Sequence, residues 1–201
     1  MSTDTARSGT EAEIMEATYR ALCKHGYADL TIQAIADEFD KSKSLLYYHY
    51  DTKDEILIAF LSYLLDQFTV EDAIDKGDSP DEQLRALVEE YLPASPPDEQ
   101  HEFQLALFEL RSRALSKAAY REQFTRADRL IHDAFVDVLT DGIDDGTFRD
   151  VDAEETAALL VSTLTGAMLR RVTTDEDVVT PTHAAITEFI DSRLLDDTAS
   201  R

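Results

Sequence analysis

The 201-residue chain is 43% hydrophobic with only six glycines and five prolines, which favours one medium domain or a small one fused to a larger and weighs against a loop-rich or all-β fold. Its 42 acidic and 19 basic residues give a formal net charge of −23, a sign that repels polyanions as a whole. One cysteine, Cys23, excludes an intrachain disulfide and suits a reducing interior; a polar, acidic N-terminus and no apolar run near the roughly 18 residues of a spanning helix weigh against a secretory signal and a membrane span.

Capping boxes at Thr10–Glu13, Thr52–Glu55 and Ser79–Glu82 predict three helix starts, the third with Pro80 at its first position. Ile14, Ala17, Ala21 and Leu22 recur in steps of three and four, and Gly26 ends that helix. A short helix follows from Thr31 to about Phe39, burying Ile32, Ile35, Ala36 and Phe39. Asp40 makes a sharp turn, because Asp tolerates left-handed geometry better than most residues, and Ser42 caps a second short helix. Ile56 to Phe68 and Leu84 to Leu92 mark two more, the latter ended near Pro93 and followed by a break over Ala94–Pro97. Phe103, Leu107, Phe108 and Leu110 carry another. A long helix runs from about Lys117 to Ile143 and stops at Asp144–Gly146. Two last helices lie near 153–171 and 181–195, the second opened by Thr180–Pro181, with Val172–Val179 as a loop. The expected fold is all-α with about nine helices and no convincing strand.

The two short helices and their turn carry the functional signal. On the second, Leu46 and Tyr50 share an inner face, while Lys43 with Tyr47 and Ser44 with Tyr48 line the outer one. A cation, a hydroxyl and two phenols suit phosphates and base edges in a DNA groove. Lys53, opening the next helix, is placed to meet a phosphate beside that helix's free amides, and Thr31 and Gln33 to do so across the groove. Three of the chain's six lysines, Lys41, Lys43 and Lys53, fall in these thirteen residues. Read singly, the aromatic run is as compatible with a core patch and the lysines with surface charge; the combined spacing favours DNA.

This stretch resembles the TetR family of bacterial and archaeal regulators. The matching residues are Leu30–Thr31, Ile35–Ala36, Ser42, Leu46–Tyr47–Tyr48–His49–Tyr50 and Lys53, with Gly26–Tyr27 as lead-in. Asp40 stands where the family has a turn glycine, Lys41 where it has an apolar residue, and Leu45 where a threonine is common. Lys41 then offers a phosphate contact and Leu45 a thymine-methyl contact; His49 suits packing or a phosphate. Phe108–Ala114, Gly142, Gly146–Phe148 and Gly166 are similar to one subtype of the family's body. The resemblance implies a homodimer with a three-helix head on a double-stranded DNA operator, a body that binds an unknown small-molecule effector, and a cytoplasmic, nucleoid-associated location.

The expected division is a DNA-binding domain over residues 8–53, a ligand-binding and dimerisation domain over 54–196, and a tail over 197–201. Candidate effector-lining residues are Phe60, Leu64, Phe68, Phe103, Leu107, Phe108, Arg111, His132 and Phe135, though aromatics at helical spacing are more often core and Arg111 suits an acid as well as an anionic ligand. Ala157, Ala158, Val161, Leu164, Thr165, Ala167 and Met168, with Ala184, Ala185, Ile186, Phe189 and Ile190, suit a four-helix dimer interface. No phosphate loop, HExxH or Cys/His spacing supports catalysis, a metal or a cofactor. The acidic, lysine-poor composition resembles proteins of salt-loving organisms, or is that of an acidic mesophilic protein. The charge also leaves open a small-molecule-binding or interaction module that has weak DNA binding or none.

Overall fold

Polar side chains set several helix starts in the computed structural model, which describes residues 2–67 and 78–195, residues 2–8 as backbone only. Helix α1 spans Ser2–Asp29, α2 Ile32–Asp37, α3 Lys43–His49 and α4 Lys53–Gln67. Then come α5 Pro80–Tyr91, α6 Asp98–Arg113, α7 Ala118–Asp144, α8 Ala153–Thr173 and α9 Val179–Phe189. A single π turn, Ile190–Leu194, closes the described chain. Strand-like pairing among the described residues is one isolated bridge, Phe148 to Leu195.

Thr31 caps α2 by accepting the Ala34 N–H, and Asp152 caps α8 by accepting that of Glu155. Glu82 accepts the Ser79 N–H at 3.0 Å, which ties down the start of α5. Other expected starts are corrected. The Thr10 box begins nothing, since α1 already runs from Ser2. A cap is worth about 1 kcal/mol and is overridden where the chain ahead of it stays helical. Ser42 does take the N-cap position of α3, but its hydroxyl pairs with Ser44 instead of capping. Helix α9 begins before Thr180 because the Asp177 carboxylate accepts the Thr180 N–H. Asp40 is not left-handed: among the described residues only Gly26 and Gly146 have positive φ, so the turn between α2 and α3 stays in ordinary backbone regions. Gly26, with φ 65° and ψ 174°, breaks the helical backbone where the sequence places the helix end, but helical turns resume beyond it to Asp29, so it kinks α1.

The described residues form two compact units. One comprises α1 to α4, α6 and α7 up to Arg126. Its core holds Ile14, Leu22, Ile35, Leu46, Ile56, Phe60, Leu110 and Tyr120, all essentially fully buried. Each such aliphatic side chain contributes about 1.5–3 kcal/mol when withdrawn from water. Its α2–α3 pair is thereby seated through Ile35, Ala36, Phe39 and Leu46.

The other unit comprises α5, α7 from Ala127 onward, α8, α9 and the π turn. Leu84, Leu92, Phe135, Leu139, Leu160, Leu164, Ile186 and Ile190 make its core. Polar links bind its helices as well: Tyr91 to Thr165, Arg171 to the Pro93 carbonyl, and His183 to the Leu92 carbonyl at 2.6 Å.

Candidate nucleic-acid interface

Leu46 decides how α3 sits. It is fully buried while Leu45 and Tyr50 pack half-buried against the same core, and the opposite face is left to solvent. That face carries Lys43 and Ser44 at the helix start, then Tyr47 and Tyr48 at 49% and 77% exposure. Two large phenols that open to water are unusual for a helix this well seated, and they are the groups a groove would cover. His49 packs its ring edge-on to Tyr48 at 5.5 Å and is half-buried. Leu45 divides its surface between core and solvent, which limits its reach as an apolar contact.

The flanking polar groups are tied together inside the protein. The Thr31 hydroxyl is used as the α2 cap, leaving its own hydrogen to donate. Gln33 Nε2 donates to Asp37 Oδ1 at 2.8 Å, and Lys43 Nζ lies 2.6 Å from the same oxygen. The Lys43 hydrogen bond is the largest cause holding the Asp37 carboxyl below the usual aspartate range. Lys41 Nζ lies 2.6 Å from Glu13 Oε2 on α1.

Lys53 sits differently from a free groove-facing cation. Its Nζ donates to the carbonyls of Tyr27 and Leu30 at 3.1 and 2.9 Å and lies 4.3 Å from the centre of the Tyr27 ring. Burial pushes its pKa down from the ordinary lysine value. Two of its three protons are committed and one is left for a phosphate.

Sequence reasoning missed the support behind this face. Asp54, the residue after Lys53, accepts from Lys117 and from the buried Tyr120 hydroxyl of α7. The Lys117 hydrogen bond is the main cause that lowers the Asp54 pKa, whereas burial raises that of Tyr120. Glu109 of α6 accepts the Tyr27 backbone N–H at 3.0 Å. These partners lie 63 and 82 residues apart in sequence, so no local spacing reveals them.

The expected effector-lining residues divide between the units. Phe60, Leu64, Phe103 and Leu107 pack on the first unit's core, where the Phe103 ring meets Tyr19 at 4.8 Å and Phe60 at 6.1 Å. Arg111 stacks 4.7 Å over the Phe124 ring in that unit, and Phe108 on α6 is half-buried. His132 and Phe135 belong to the second unit, His132 near Asp133 and Glu154 and Phe135 in the core. Phe68 lies outside the described residues.

On α8 and α9 the expected interface set is corrected in part. Ala157, Leu164, Ala167, Ile186 and Ile190 are buried in their own unit, because their spacing serves the intrachain core first. Ala158, Leu159, Ser162, Gly166 and Leu169 on α8, and Ala184 and Ala185 on α9, stay exposed. Leu159 and Leu169 are 55% and 44% open to water.

Comparison with known proteins places both halves of the chain. Residues 14–60 match the bacterial regulatory proteins of the tetR family, and residues 80–195 match the C-terminal part of BetI-type transcriptional repressors. A TetR transcription regulator from Haloarcula marismortui shares 40% identity and a TM-score of 0.81, covering 93% of this chain and 99% of that one. The HTH-type transcriptional repressor KstR2 of Mycobacterium tuberculosis is 27% identical over 150 residues, 71% of each chain. A transcriptional regulator from Saccharomonospora viridis, solved in complex with choline, is 22% identical with a TM-score of 0.77 over 94% of this chain and 99% of that one, a likeness of fold.

Proposed function

The chain belongs to the TetR family of transcriptional regulators, and on that premise we propose that its α3 helices, one per subunit, enter successive major grooves of a palindromic operator as a ligand-released repressor. It is a DNA-binding transcriptional regulator, and its relatives are regulators rather than enzymes. Members of the family bind DNA as dimers under the control of small-molecule effectors. No helix among the described residues is long and apolar enough to cross a membrane.

The observation that carries this reading is the outer face of α3, with Lys43, Ser44, Tyr47 and Tyr48 open to solvent over a buried Leu46. Lys41 and Lys53 flank it as phosphate contacts, with Thr31 and Gln33 from α2; Ser42, Leu45 and His49 complete the surface. Residues 8–53 read DNA and 54–196 dimerise and sense. The exposed stripe of α8 with Ala184 and Ala185 of α9 forms the dimer contact: its small residues let helices approach closely, and its two leucines are otherwise wetted. The effector reaches Phe60, Leu64, Phe103, Leu107, Phe108 and Arg111 on the α4 and α6 side, or His132 and Phe135 on α7. It acts by favouring a body conformation in which the two heads no longer match their half-sites.

Genomic fragments selected by the purified protein are expected to share one motif of two inverted half-sites, and a small molecule drawn from the same cells is expected to release it. Recovery of no specific fragment at any salt concentration sinks the reading in favour of a binding module without DNA, which the charge of −23 would suit.

A further inference from the structure

The lysines that the sequence concentrates beside α3 are already engaged inside the protein. Lys43 holds Asp37 and Lys41 holds Glu13, each at 2.6 Å, and Lys53 is committed to two carbonyls. Both ion pairs are open to water, with side-chain exposures of 50% and 58% for Lys43 and Asp37 and 44% and 46% for Lys41 and Glu13. Pairs of this kind are weak and exchange readily. The Gln33 amide pins Asp37 at the end of α2, where its carboxylate meets the first residue of α3. A phosphate that reaches Lys43 or Lys41 therefore meets an ammonium already neutralised by a carboxylate, and the two like charges compete for it at the DNA surface.

We propose that Glu13 and Asp37 are built-in competitors of DNA phosphate, so that operator binding exchanges each carboxylate for a phosphate on the same lysine and the released carboxylates take up cations from solution. This rests on α3 being the DNA-reading helix. A free lysine that meets a B-DNA phosphate releases condensed cations and adds about −0.9 to the slope of log K against log salt. Where a carboxylate is freed at the same moment and recruits a cation, the two movements cancel and that lysine's share of the slope falls towards zero. The pair thus sets both the strength of binding and its tolerance of salt.

The test uses the full chain and a duplex that the wild type selects from genomic fragments, titrated by fluorescence anisotropy across a KCl series. Asp37→Asn and Glu13→Gln are each expected to tighten binding roughly two- to five-fold at low salt. Each is also expected to steepen the slope by about one unit. The variants converge on the wild type as KCl rises. In a Lys43→Ala background most of the gain from Asp37→Asn disappears. Equal thermal midpoints show that the fold is untouched.

Unchanged affinity and slope in both variants, on a duplex the wild type binds, overturn the competitor role alone. A gain of the same size without Lys43 overturns it too, since that is plain charge repulsion. A wild type that retains no specific duplex overturns the DNA-reading assignment and this inference with it.

Discussion

Lys53 opens α4 with its ammonium on the Tyr27 and Leu30 carbonyls, just beyond the Gly26 kink. The lysine therefore fixes the end of α1 against the start of α4 as well as offering one proton outward. Lys53→Met keeps the apolar stem and removes the donor. It is expected to lower the unfolding free energy in urea by about 1–2 kcal/mol, the cost of leaving part-buried carbonyls without a partner. Wild-type stability in that variant would reduce Lys53 to a phosphate contact. Its neighbour Asp54 is held by Lys117 and Tyr120, and its carboxyl lies below the usual aspartate range. A carboxyl depressed in the folded state stabilises fully above its unfolded value and loses that contribution as pH falls through the folded one. The thermal midpoint of the wild type should accordingly fall more than that of Asp54→Asn as pH drops below the ordinary aspartate value of 3.8, with the two curves parallel near neutrality. Parallel curves throughout the acid range would remove Asp54 from the pH response.

Among the elements, α3 was the most legible from sequence, because an i, i+4 pattern of Leu46 and Tyr50 against Lys43, Ser44, Tyr47 and Tyr48 is a local fact about one helix. The structure buries Leu46 and leaves both phenols exposed, which settles the face that the pattern by itself left open to a core patch. The start of α1 and the Asp40 turn differ from the sequence expectation for the opposite reason: a cap and a tolerant residue are permissions, and neighbouring chain decides whether they are used. Which carboxylates the lysines would find was not legible at all, since Glu13 sits on another helix and Asp37 across a turn. The small residues of α8 and α9 were ambiguous in the same way, for one spacing serves both an intrachain core and a second subunit. Gly142 in α7 shows how tight that core is. A Cβ there would stand 2.2 Å from Phe148 Cδ2 and 2.9 Å from Pro80 Cβ. Gly142→Ala gains about 1 kcal/mol of helix propensity. Overpacking of about 1–3 kcal/mol should outweigh it, so the variant is expected to unfold at lower urea. A stabilised variant would mean that Phe148 and the start of α5 yield freely.

For the whole molecule, a charge of −23 coexists with half of the lysines gathered around one short helix, two of them paired with carboxylates and one with backbone carbonyls. Two such helices must act together, because a single small head buries little surface on DNA and a second bound head adds its effective concentration. Leu159→Asp combined with Leu169→Asp, both at exposed positions of α8, is expected to give monomers in sedimentation with native helix content. Operator affinity should then fall at least about ten-fold. Dimers that persist would move the subunit contact elsewhere. The central claim, that the outer face of α3 reads DNA, is tested most directly by anisotropy titration of the selected duplex with wild type and with the Lys43→Ala, Tyr48→Ala double variant. Both residues are exposed, so the double variant should keep the wild-type thermal midpoint while binding at least about ten-fold more weakly. Equal affinity of the two proteins for that duplex would contradict the assignment.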